Sequence, residues 1–374
     1  MNFPKIRTVL LCLAALSLFC SCDEHSRSAS DTKIGVILPL TGGAAALGKA
    51  SLNGMQLAVE EYNERKKADE PKLSLVIEDD QAMPAKGISA FQKLVSSDHV
   101  KLILGPLPSG VTLAVAPLAN KEGVVILSPG SSAPEVTQAG DYVFRNELSD
   151  ELGAKKQAEQ AFTRLKFRRL ALLYVNNDYG VGTIRVFKKE FQRLGGEIVA
   201  DEPFNPGTTD FRTSLTRIKS SNPDGMSIAF QDDIVNIIKQ KAELGMSVPI
   251  YTTALFEDPG VLSKLGSLAE GVIYASYGTF DSDSKSGLQA EFARKYQAHF
   301  KETPTYFAAL GYDAAGIMIS ALHSCGFDPA KVKEALYETR DYEGVSGRTS
   351  FDQNGDVDKP VTLKTVRGGR YVQY

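Results

Sequence analysis

From residue 33 to about residue 340 the chain repeats one rhythm: a short apolar run, then a longer stretch with helical spacing. KIGVILPL is the first apolar run, and ASLNGMQLAVEEYNER follows it with Leu52, Met55, Val59 and Tyr62 at intervals of three to four residues. KLSLVIEDD, VKLILG and VVILS read as further strands, separated by the helical PAKGISAFQKLVSS and TLAVAPLANKEG. After YVFRN the pattern starts afresh, with ELGAKKQAEQAFTRL helical, RRLALLYV a strand, and three more helix–strand pairs up to VPIYTT. GVIYAS, three late helices and a strand-like tail with turns at Asn354-Gly355 and Gly368-Gly369 complete the chain. Strands apolar along their whole length belong to parallel sheets covered by helices on both faces. Two such runs predict an α/β protein of two doubly wound, Rossmann-like lobes. In these sheets a ligand sits beyond the carboxyl ends of the strands. The loops to watch therefore follow VKLIL, reading GPLPSG, and VVIL, reading SPGSSAP.

The first residues are of another kind. Lys5 and Arg7 precede VLLCLAALSLFC, which is too short to span a bilayer and has the form of an export signal. FCSC resembles the bacterial lipobox, with Cys22 as the lipidated first residue of the mature chain. Cys20 after bulky Phe19 is the weaker match, and an ordinary cleaved signal is the alternative. Residues 1–21 then form a lipoprotein-type signal peptide and 22–30 a tether. Loss of Lys5 and Arg7 leaves 40 basic residues against 45 acidic ones, a balance that argues against a nucleic-acid partner. Cys325 is the only cysteine beyond the export region, which rules out an internal disulfide. The four histidines are scattered without metal-ligand spacing, so no metal and no cofactor is expected.

Catalytic motifs fail on particular residues. Gly43 to Lys49 approaches a phosphate loop, but Ala50 stands where the magnesium-ligating hydroxyl belongs. No serine sits in a nucleophile elbow. Asp352, Asn354, Asp356 and Asp358 alternate like a calcium loop, but Val357 and Leu363 replace its glycine and glutamate. A turn at Asn354-Gly355 is the expectation there, and no enzymatic activity is expected.

Several segments in order, KIGVILPLTGGAAALGKASLNGMQLAVEEYN, LILGPLPSGVTLAVAPLANKEGVVILSPGSSAPEVT, LLYVNNDYGVGT and FDQNGD, resemble the leucine/isoleucine/valine-binding family of ABC-transporter solute receptors. The resemblance implies the type I periplasmic binding protein fold, with the lobes joined by three crossovers and closing on an amino acid. It places lobe 1 at 31–145 plus 279–342, and lobe 2 at 146–278 plus 343–374. It implies that Ser109, Gly130, Ser131 and Ser132 hold the ligand carboxylate, and that Tyr179 closes over the ligand. It also implies that Asp233 takes the ammonium while Asp232 caps its helix, and that Phe230, Phe256 and Tyr277 line the side-chain pocket. The implied partners are a small amino acid, the permease subunits of an ABC transporter, and a membrane reached through the lipid on Cys22. The protein is then a monomer in the periplasm or at the cell surface. Ala82 and Pro108 occupy the places of a first-lobe disulfide, and Leu47 that of a covering aromatic. Those departures leave open a receptor for another small polar solute (an amide, urea or an aromatic acid) or a sensory module of the same fold.

Overall fold

The computed structural model describes residues 31–230 and 233–374. Cys20, Cys22, the tether and Asp232 lie outside the described residues. The first run of the chain forms β1 (Thr32–Leu38), α1 (Ala45–Arg65), β2 (Leu73–Asp79), α2 (Pro84–Ser96), β3 (Leu102–Leu104), α3 (Ser109–Glu122), β4 (Val125–Ser128) and β5 (Val143–Arg145). The second forms α4 (Asp150–Thr163), β6 (Arg169–Val175), α5 (Asp178–Arg193), β7 (Glu197–Phe204), α6 (Arg212–Ser220), β8 (Gly225–Ala229), α7 (Ile234–Glu243), β9 (Ile250–Thr252), α8 (Pro259–Leu265) and β10 (Ile273–Tyr277). The remainder is α9 (Gly287–Phe300), α10 (Tyr306–Ser324), α11 (Val332–Tyr337), the small hairpin β11 (Tyr342–Gly344) and β12 (Gly347–Thr349), and then β13 (Val361–Arg367) and β14 (Arg370–Gln373).

Five strands make a wholly parallel sheet in the order β2-β1-β3-β4-β5. Seven make the second, β14-β13-β10-β9-β8-β6-β7, parallel except for β13 and β14 at one edge. LIL of β3 and VILS of β4 are buried at every position, as strands covered on both faces must be. The late helix α10 belongs to the first lobe because it packs on α1. Gly54 and Gly311 permit that approach: a Cβ on either would lie 2.1 Å from a backbone oxygen of the opposite helix.

The chain passes between lobes three times, at 146–149, at Gly278-Thr279 and after Asp356. The third passage comes later than the boundary expected at 343. Val345 and Ser346 donate backbone N–H to Asp313 of α10. Phe351 packs edge-on against Phe144 at 5.3 Å, and Arg145 pairs with Asp356 at 2.6 Å. Residues 345–356 therefore stay with the first lobe, held by a buried arginine and an aromatic cluster. Asn354-Gly355 turns as expected, with Asp352 Oδ1 accepting the N–H groups of Asn354 and Asp356. Among the described residues no helix is long and apolar enough to cross a membrane, and no group of three or more metal-ligating side chains occurs.

Candidate functional site

The loops after β3 and β4 meet at the cleft between the lobes, and small hydroxyl residues tie them together. Ser109 opens α3, and its Oγ accepts the N–H groups of Ser132 at 3.2 Å and Ala133 at 3.1 Å. Ser128 Oγ donates to the Pro106 carbonyl at 2.6 Å and accepts Ser131 N–H at 2.9 Å. A hydroxyl both donates and accepts, so each serine satisfies a buried loop amide that would otherwise be orphaned. The opening is narrow and largely apolar on the first-lobe side, where Leu47, Leu107 and Phe307 accompany Ser109, Gly130 and Ser132. The second lobe contributes Tyr179, Thr253 and Tyr277. About 690 Å³ of space, part of it open to solvent, lies among these residues.

Five of the expected contacts thus share one cleft: Ser109, Gly130, Ser132, Tyr179 and Tyr277. Tyr179 donates its hydroxyl to Thr253 Oγ1 at 3.0 Å, which holds the ring across the second-lobe wall. Tyr277 accepts from Gln157 Nε2, and its ring lies against Gly153, where a Cβ would be 2.6 Å from the phenol oxygen. Burial pushes both phenols well above their ordinary pKa, so they remain neutral hydroxyls.

Four expected contacts lie elsewhere. Ser131 sits beneath the loop, fully buried, with its hydroxyl 2.8 Å from Thr112 Oγ1 and 3.1 Å from the Leu107 carbonyl. It shapes the loop and does not line the cleft. Phe230 and Phe256 belong to the second-lobe core, where Phe256 packs on Tyr274 and Tyr371 at 5.7 and 6.1 Å. An apolar ring at the end of a covered strand is better buried under helices than left in a polar cleft. Asp233 is buried at the N-cap position of α7, its carbonyl accepting Asn236 N–H, and it is not among the residues lining this cleft.

Two acids that sequence reasoning passed over do line it, Glu147 and Asp150. Asp150 is the first residue of α4, and its Oδ2 accepts Ser132 Oγ at 2.9 Å and Thr183 Oγ1 at 2.6 Å, one hydroxyl from each lobe. Burial raises its pKa to about 7 against the pull of those hydroxyls and of Arg145. Burial also raises Glu147, and Lys359 opposes the shift. In the sequence Asp150 and Glu151 look like ordinary acids favouring a helix start. Only the meeting of Ser132 with Asp150 across the cleft reveals the other role.

Two largely parallel sheets joined by three crossovers, with small polar loops facing buried acids, make a capture site. Residues 31–370 match the model of a family described as periplasmic binding protein. The chain belongs to that family. Its fold is the type I periplasmic binding protein fold, and its relatives are substrate-binding proteins of ABC transporters. It is 27% identical to the Leu/Ile/Val-binding protein homolog 1 of Brucella suis over 91% of this chain and 93% of that protein. It is 29% identical to the branched-chain amino acid substrate-binding protein LivJ of Streptococcus pneumoniae, solved with isoleucine, with a TM-score of 0.84 and coverage of 91% and 97%. A solute-binding protein of Rhodopseudomonas palustris BisB5, solved with 3,4-dihydroxybenzoic acid, is 25% identical, with a TM-score of 0.82 and coverage of 92% and 95%.

Proposed function

We propose that this periplasmic binding protein captures an α-amino acid between its lobes and delivers it to the permease of an ABC transporter. One observation carries the proposal: a hydroxyl-rich first-lobe wall (Ser109, Ser132) faces buried acids (Glu147, Asp150) across a single cleft. A zwitterion offers an acceptor and a donor in the same arrangement. Apolar Leu47, Leu107 and Phe307 suit an aliphatic side chain. The protein acts by hinge closure and performs no chemistry, since contacts from both lobes favour the closed state. A lipid on Cys22 keeps the monomeric receptor near its permease.

The likeness to the dihydroxybenzoate-bound protein supports a second reading, an aromatic acid held by the same hydroxyls over the apolar wall. A thermal-shift screen of the purified protein against L-amino acids, urea, short amides and aromatic acids separates the two, because a tight ligand raises the melting temperature by mass action. The expected result is a shift with α-amino acids alone. A shift confined to acids without an ammonium overturns the amino-acid reading.

A further inference from the structure

Glu147 is an unusual residue to find on a cleft floor. It lies on the first crossover, buried, beside Asp150. It is held in place: Oε1 accepts Leu148 N–H at 2.8 Å and the Tyr306 hydroxyl of α10 at 3.1 Å. Burial raises the cost of ionising either acid, and the charge of Asp150 adds to that cost for Glu147.

The cations nearby are already shared. Lys359, buried on the third crossover, donates to Asn146 Oδ1 at 3.0 Å and Ser346 Oγ at 2.9 Å, and its charge acts on Asp313 as well as on Glu147. Arg145, nearest in charge to Asp150, is bound through two nitrogens to Asp356, at 2.6 and 2.7 Å. Tyr179, Tyr277 and Tyr306 face the pair from α5, β10 and α10 and stay protonated. The floor of the cleft therefore holds more acid than the protein's own cations there can neutralise.

We propose that Glu147 and Asp150 together select a ligand bearing a positive charge, and that such a ligand enters in exchange for a proton held by this pair. The proton leaves a carboxyl O–H for solvent, and the ligand's ammonium N–H groups take its place against the carboxylates. No covalent bond to the ligand forms. The raised pKa of both acids fits this exchange, because the empty cleft then keeps a proton near neutrality. The inference rests on the amino-acid reading and adds to it the residues that sense the charge. Asp233, the acid that the family resemblance points to, is replaced in that role.

The test is calorimetric titration of the purified protein with L-isoleucine, or with a tighter α-amino acid from the screen, in buffers of different ionisation enthalpy between pH 6 and 8.5. The α-hydroxy acid of the same side chain is the comparison ligand. Release of about one proton per amino acid bound is expected near pH 6.5, with Kd tightening by up to about tenfold for each unit that the pH rises toward neutrality. Glu147→Gln should flatten that slope and lose most of the preference for the amino over the hydroxy ligand. Amino-acid binding with no proton release overturns the inference alone. So does loss of the preference in Asp233→Asn with its retention in Glu147→Gln. A cleft whose tight ligands all lack an ammonium overturns the amino-acid reading as well. Should Glu147→Gln fail to fold, the proton count of the unaltered protein still decides.

Discussion

The two sides of the cleft are built on opposite principles. The first-lobe wall is neutral and closed upon itself: Ser109 and Ser128 spend their lone pairs on the amides of the neighbouring loop. The crossover side is charged and buried, with Glu147, Asp150, Asp313 and Lys359 inside the protein. Neutral hydrogen bonds preorganise a wall at little electrostatic cost. Buried charges are costly alone and tolerable only in company. The first wall should thus set the shape of the site, while the second ties ligand charge to the hinge.

The contrast is broken most directly at Lys359. Replacing it with methionine removes a cation shared by the crossovers and leaves Glu147 and Asp313 without it. A loss of about 3–5 kcal/mol in a urea titration is expected, with part of it restored when Glu147→Gln is added. A cost under about 1 kcal/mol would mean that the crossovers hold together without their charges. Ser109→Ala is the matching change on the neutral wall. It leaves two buried amides, those of Ser132 and Ala133, without their acceptor, for about 1–3 kcal/mol of stability. Amino-acid affinity should fall further than stability, since the loop that shapes the site is released. The smallest effect belongs to Arg185, which reaches from α5 to Glu135 at 2.7 Å, with both side chains well exposed. Arg185→Ala should change ligand dissociation by less than about threefold, and less still at high salt. A large effect there would move the weight of closure from the buried floor to the rim.

Much of the fold was legible in the residues themselves. Alternating apolar strands and amphipathic helices led to two parallel sheets, because strand periodicity and full burial are local properties of sequence. The turn at Asn354-Gly355 was equally local. The third crossover was placed too early, because the attachment of residues 345–356 to the first lobe depends on Arg145, Phe144 and Asp313, all distant in the chain. Helix α8 escaped notice for want of a periodic apolar stripe long enough to stand out. The site divided in the same way. Ser109, Gly130 and Ser132 lie in loops whose small residues mark a close approach, and they reach the cleft. Ser131 has the same composition but faces inward, since a one-residue step turns a side chain to the other side of its loop.

The sequence by itself determined the class of protein: two doubly wound lobes with loops of glycine and serine at the strand ends. These follow from short-range chemistry, namely side-chain period, backbone freedom and hydrogen-bonding capacity. Only the tertiary structure decided that Glu147 and Asp150 line the cleft. Along the chain, an acid at a helix start reads the same whether it is Asp150 or Asp233. What separates them is the opposite lobe: Ser132 meets Asp150 across the cleft, while Asp233 is buried at the start of α7. Contacts between residues far apart in the chain exist only once both lobes and all three crossovers are in place.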